Sequence, residues 1–255
     1  MAKIFCIANQ KGGVGKTTTA LNVSAGLSML NLDPIAIDLD PQGHLTLASG
    51  ATAFAPQAGA FGFFQQGVPL DKVVHRLASG RRIVPATLDL SKIDALRGGD
   101  ANISTRLRDG IRDTLGAGAA PVIIDCCPML GVLTLNALIA ADRVLIPVSA
   151  DFLSLQGVDR LDRALNALEI KLKLRIERRV LVTRYDGRRK LSADIYAQLK
   201  ARYGNTVCET RIVENVSLAE SPMRGKDIYA FAPSSPGARD YAALMRELGG
   251  SGFFN

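Results

Sequence analysis

The chain has 255 residues, enough for one large α/β domain with a well-buried core and with no need of a second. A net charge of +7 allows a polyanionic partner without demanding one, and no run of about eighteen apolar residues suggests a membrane span. Four cysteines without paired zinc spacing, Cys6, Cys126, Cys127 and Cys208, exclude a disulfide scaffold or zinc module and fit buried, reduced thiols.

Residues 4–8 form an apolar run read as a buried strand, and it enters the chain without the charged and apolar regions of a signal peptide. The stretch 10–19, Gln-Lys-Gly-Gly-Val-Gly-Lys-Thr-Thr-Thr, then sets a glycine-rich turn before a helical pattern. Glycines there let backbone N–H groups close on an anion, and the helix start adds its positive end. Lys16 is placed to reach the β- and γ-phosphates, and the Thr17 hydroxyl to bind Mg²⁺. The general P-loop pattern wants glycine where this chain has Gln10, and it has no counterpart to the extra lysine, Lys11.

Apolar residues at helical spacing fill 20–30, and a second strand at 34–39 ends in Asp38-Leu39-Asp40-Pro41-Gln42-Gly43. Carboxylates at the C-terminal end of a parallel strand face the crevice where open α/β sheets bind ligands. They can orient the attacking water or hold magnesium through water; Asp40 is assigned to the water and Asp38 to the magnesium shell. Residues 44–70 read as loop and short helix, with Phe61, Phe63, Phe64 and Met29 expected in the core. A helix is expected over 71–78, a short strand over 82–85 and a helix over 104–115.

The run 121–125 ends in Asp125, an aspartate closing a buried strand beside the phosphate loop and hence a second carboxylate for the Mg²⁺ shell. Helix over 134–140, strand over 143–148, a long helix over 155–168 and strand over 179–183 complete the alternation of a doubly wound, mostly parallel sheet flanked by helices. Charge is uneven: residues 171–226 carry 14 basic and 6 acidic residues, whereas 1–170 carry 15 of each. The basic clusters are Arg178-Arg179, Arg188-Arg189-Lys190, Lys200 with Arg202, and Arg224 with Lys226.

Taken together, residues 8–18, the Asp38 to Gly43 turn, Pro85 to Leu90, Ile123 to Cys126, Thr134 to Leu138, Tyr185 to Arg188, Asn215-Val216 and Gly237 to Tyr241 resemble the ParA family of deviant Walker A partition ATPases. The likeness runs over nearly the whole chain and implies a P-loop NTPase fold in a single domain, 1–255, without an N-terminal helix-turn-helix extension. It implies a weak, partner-stimulated ATP hydrolase with ATP and Mg²⁺ as cofactors. Gly12, Gly13, Val14, Gly15, Lys16, Thr17 and Thr18 would hold the phosphates, and Asn215 would contact adenine. Lys11 would be the signature lysine that reaches a partner's phosphates across an ATP-bound homodimer, while Lys16 and Asp40 serve hydrolysis.

The same resemblance implies DNA binding without sequence preference, for which Arg188, Arg189, Lys190, Arg224 and Lys226 are the candidates. A cargo-linked stimulating protein of ParB or adaptor type would trigger hydrolysis, and the cargo would be a plasmid, a chromosome site or a protein assembly such as a carboxysome. The protein would be cytoplasmic and nucleoid-associated. Gln10 and the short, glycine-rich tail 247–255 argue against a membrane-associated relative of the MinD kind, and a nucleotide-dependent scaffold without hydrolysis is the third reading. Two departures stand out. Cys127-Pro128 replaces two prolines, and Ile212-Val213-Glu214-Asn215-Val216 replaces Ile-Pro-Arg-Asn-Val, removing an expected arginine.

Overall fold

Alternating side chains of the first strand already divide the core. Phe5 and Ile7 point to one face of the sheet, Ile4 and Cys6 to the other, and all four are buried, as a parallel strand covered on both sides requires. The computed structural model describes residues 3–51, 54–95, 103–115, 120–151 and 154–254. Within them lie strands β1 (Ile4–Ile7), β2 (Ile35–Leu39), β3 (His75–Arg76), β4 (Arg82–Val84), β5 (Val122–Cys126), β6 (Arg143–Ser149), β7 (Glu177–Tyr185) and β8 (Val207–Val213). They form one sheet of order β3-β4-β2-β5-β1-β6-β7-β8, parallel except for the β3/β4 pair.

The α-helices are α1 (Lys16–Met29), α2 (His44–Ala48), α3 (Ala60–Gln66), α4 (Ser91–Asp94), α5 (Arg106–Thr114), α6 (Val132–Ala140), α7 (Ser154–Leu172), α8 (Lys190–Tyr203), α9 (Val216–Glu220), α10 (Ile228–Phe231) and α11 (Pro236–Gly250). Leu133 and Leu138 of α6, Val158 and Leu161 of α7 and Leu199 of α8 cover the Ile4 face. Leu21 and Leu27 of α1 with Leu244 and Leu248 of α11 cover the Phe5 face. Helices on both faces of a parallel sheet give the doubly wound architecture expected from the sequence.

Helix α11 also closes the open edge of the sheet. Glu247 accepts hydrogen bonds from the Glu209 and Thr210 amides at 2.7 and 2.8 Å, and Asp240 from the Val213 amide at 2.9 Å. Carboxylates thus occupy β8 donors that would otherwise recruit another strand. Phe253 turns inward onto Phe5, with ring centroids 5.7 Å apart. The tail's apolar residues are therefore spent inside the fold; its last residue, 255, lies outside the described residues.

Two sequence expectations are corrected. The helix over 71–78 is instead a 3-10 turn, Leu70–Val73, followed by β3, because Ser79 and Gly80 (φ +83°) make a hairpin in which Leu77 donates to the Arg81 carbonyl. Met29 does not join the phenylalanines: it is 66% exposed, whereas Phe63 and Phe64 are buried edge to face. The four cysteines are free and buried as expected, with the Cys6 and Cys126 sulfurs 3.3 Å apart on adjacent strands. No helix among the described residues is long and apolar enough to cross a membrane.

Candidate nucleotide site

The loop between β1 and α1 is positioned from both ends. Asn9, buried beyond β1, donates to the Pro147 carbonyl of β6 at 2.7 Å and accepts from the Lys11 amide at 3.0 Å, which fixes where the loop departs. Thr183 at the end of β7 donates to the Val14 carbonyl at 2.9 Å, fixing its far side. Gly13 and Gly15 take left-handed φ values of +73° and +83°, conformations that a side chain would strain. No side chain caps the start of α1 and no acid sits in its first turn, so its free N–H groups and positive end are left for an anion.

Lys16, only 7% exposed, donates to the Lys11 carbonyl at 3.0 Å across the loop. Burial lowers its pKa, opposed first by the nearby Asp125 carboxylate. Asp125 stands beside Asp38 in the register of β5 and β2, on the face that packs against α1. Its two oxygens are buried without a hydrogen bond. Burial, then the Asp38 carboxylate, raises its pKa well above the usual range, while the Thr17 hydroxyl and Lys16 ammonium favour the charged form. An orphaned buried carboxylate facing a lysine and a threonine hydroxyl is the donor set that a hard divalent cation bridging to phosphate oxygens satisfies. The residues present therefore fit Mg²⁺ with a nucleotide triphosphate.

Asp38 has a different neighbourhood. Its Oδ2 accepts from the Thr46 amide at 2.8 Å and the Thr46 hydroxyl at 2.7 Å, and its Oδ1 from the Asp40 amide at 3.1 Å. Burial raises its pKa to about 6 against these bonds. The carboxylate shapes the turn that presents Asp40, so of the two magnesium candidates Asp125 has the open oxygens. Asp40, 8% exposed, accepts from the Gln42 amide at 2.9 Å and shares a cavity of about 660 Å³ with Gly12, Lys16, Thr17 and Thr18. Thr46 was not singled out by the sequence; its position eight residues after Asp38 was the only available signal.

Lys11 is engaged within its own chain, where its ammonium pairs with Asp151. Asn215 caps α9 by accepting from the Ser217 amide at 2.8 Å, and it lines a second cavity, about 360 Å³, that shares Gly13, Gly15 and Thr18 with the first. Phosphate-loop residues and Asn215 thus meet in one continuous groove at the C-terminal ends of the strands.

The basic segment divides. Arg178 and Arg179 lie at the start of β7, at the opposite end of the sheet, in a cleft of about 1120 Å³ shared with Arg202 and Lys3. Many of its arginines are already neutralised: Arg178 pairs with Asp162 and Glu169, Arg143 with Glu177, and Arg202 with Asp159. Arg188, Arg189 and Lys190 follow the other end of β7, all exposed. Arg188 and Arg189 both reach Asp186, and the Arg188 hydrogen bonds hold its carboxyl down at about 2.

Arg224 and Lys226 are exposed on a loop that is clamped to the end of α2. Arg81, pairing with Asp227 at 3.1 Å, also donates to the Ser49 and Gly225 carbonyls at 3.0 and 3.1 Å. A Cβ on Gly225 would lie 2.6 Å from the Gly50 Cα, so the two backbones touch. This seam joins the element that follows Asp40 to two of the five candidate DNA-binding cations.

A family model described as an AAA domain matches residues 2–178. The chromosome-partitioning ATPase Soj of Thermus thermophilus is 42% identical over 245 residues, 96% of this chain and 94% of Soj. The chromosome partitioning protein ParA of Caulobacter vibrioides is 34% identical over 249 residues, 96% of this chain and 93% of ParA. Among solved structures, the cobyrinic acid a,c-diamide synthase of Mycobacterium smegmatis with bound ADP and magnesium superposes with a TM-score of 0.82 at 30% identity, covering 99% of this chain and 97% of the synthase. The phosphate loop, the three strand-end carboxylates and full-length relatives above 30% identity agree, and this chain belongs to the ParA family of deviant Walker A ATPases.

Proposed function

We propose that this chain is a partition or positioning ATPase that dimerises on ATP, binds DNA without sequence preference in that state, and releases when a cargo-linked partner stimulates hydrolysis. The observation that carries the reading is the orphaned Asp125 carboxylate facing Lys16 and Thr17 beneath an uncapped helix start. ATP bound with Mg²⁺ supplies the transferable γ-phosphoryl group. Lys16 offsets phosphate charge, the Thr17 hydroxyl and Asp125 hold the cation, and Asp40 orients the attacking water. Lys11 exchanges Asp151 for the phosphates of a second copy, which makes dimerisation contingent on the triphosphate.

DNA binding rests on Arg188, Arg189, Lys190, Arg224 and Lys226, with the partner a ParB-type or adaptor protein and the site of action the nucleoid. Inward packing of Phe253 supports this reading over a membrane-associated one. The deciding experiment is ATP turnover with and without DNA in wild type and Asp40→Ala, beside ATP-dependent co-sedimentation with DNA and with anionic vesicles. Turnover lost in Asp40→Ala, and DNA but not vesicles carried down with ATP, are expected. Turnover independent of Asp40, or an ATP-bound protein without DNA affinity at low salt, refutes the proposal.

A further inference from the structure

The cavity that continues from the phosphate loop is bordered by an ion pair that neither the phosphate chemistry nor the core accounts for. Arg184 donates to Glu214 at 3.0 Å, both side chains are well exposed at 60% and 45%, and both line the cavity with Asn215. An exposed pair of this kind adds little to stability. Yet it is held with care. Arg184 takes a left-handed φ of +50°, a conformation rare for a residue with a side chain and concentrated at ligand clamps. The Glu214 amide donates to the Tyr185 carbonyl at 3.0 Å, tying the end of β8 to the end of β7 beneath the pair.

Asn215 supplies the complementary half. Its side-chain oxygen is committed to the Ser217 amide, which leaves the NH₂ group as the part able to meet a ligand. The lining of the cavity therefore includes a donor from Asn215 and an acceptor from Glu214. Adenine presents the matching sequence, a ring nitrogen acceptor next to the exocyclic amine donor. Guanine presents a carbonyl oxygen where adenine has the amine, which would oppose the carboxylate.

We propose that Glu214 is a specificity-determining residue that selects adenine over guanine nucleotides, and that Arg184 is the positioning residue that holds its carboxylate toward the base. The inference rests on the nucleotide reading of the adjoining loop. It also gives a purpose to the glutamate that stands where the family resemblance leads one to expect arginine: an acceptor is gained, paired with Arg184.

The test is calorimetric titration of the full chain, with Mg²⁺, by ADP, GDP and inorganic tripolyphosphate. Wild type should prefer ADP to GDP by about tenfold or more, since a site built around hydrogen bonds rejects the mismatched analogue. Glu214→Gln, whose amide can accept or donate, should reduce that preference to roughly threefold or less, mostly by tighter GDP binding, and leave tripolyphosphate affinity unchanged. Arg184→Ala should narrow the preference in the same way, and Arg184→Lys should restore much of it. A wild type without preference, or a Glu214→Gln protein that keeps it while binding tripolyphosphate normally, overturns the inference alone. A wild type that binds neither tripolyphosphate nor ADP overturns the nucleotide site itself.

Discussion

Replacing Thr46 by valine keeps the shape of a buried side chain while deleting one hydroxyl that serves two neighbours. That hydroxyl donates to Asp38 at 2.7 Å and accepts from the Ala86 amide at 3.0 Å. Loss of a hydrogen bond to a charged group costs about 1.5–3 kcal/mol, and a buried amide left unpaired about 1–3 kcal/mol. Thr46 is 5% exposed, so water offers little relief, and the expected destabilisation is about 3–5 kcal/mol. Urea denaturation of wild type and Thr46→Val, read from the midpoint at constant slope, measures it. The same substitution frees the turn carrying Asp40, so ATP turnover should fall more than nucleotide binding. A loss under about 1 kcal/mol with normal turnover would refute the assignment of Thr46 as the brace of that turn.

Lys11→Ala should retain nucleotide binding but lose the ATP-dependent dimer and turnover, as size-exclusion and titration will report; a variant that dimerises normally removes Lys11 from the interface. Gly225→Ala forces a Cβ into a left-handed backbone and against Gly50, at a cost of about 2–4 kcal/mol, whereas Gly80→Ala, left-handed but in open space, should cost about 1–2 kcal/mol by the same denaturation assay. Glu169→Gln should destabilise by about 1–2 kcal/mol at neutral pH. Burial pushes the Glu169 carboxyl up, but the Ile176 amide and Arg178 guanidinium outweigh it and hold the pKa below the usual value. A depressed carboxylate contributes above its unfolded pKa and stops contributing as pH falls through its folded one, so the difference from wild type should begin to shrink in melts at about pH 4.3 and vanish only below the folded pKa.

The phosphate loop and the strand-end aspartates were legible because each combines a local composition with a fixed position after an apolar run. Strand boundaries followed for the same reason: 4–8, 34–39 and 121–125 are too short and too apolar to be anything but buried strand in this context. The 71–78 segment misled because its apolar residues fit helical spacing, and only the Ser79-Gly80 turn betrays the hairpin. The arrangement of the basic segment in space was less legible. Clusters adjacent in sequence lie at opposite ends of β7, a nine-residue strand from Glu177 to Tyr185, and several cations meet acids from other elements. Thr183 and the Arg184–Glu214 pair were invisible because their partners are distant in the chain, and Thr46 left only its spacing from Asp38 as a signal.

In the proposed ATP-dependent dimer, the Lys11–Asp151 pair bears on how a copy without triphosphate would meet another. A second copy arriving without a triphosphate meets a lysine whose charge is already compensated, so empty encounters gain nothing at that point. Breaking an exposed pair costs only about 0–1 kcal/mol, little beside the attraction of three phosphates. Asp151 is not stranded by the departure, because the Ser149 hydroxyl holds its other oxygen at 2.6 Å. On that proposal the pair would be a low threshold, one that a loaded partner has reason to cross and an unloaded copy gains nothing by crossing.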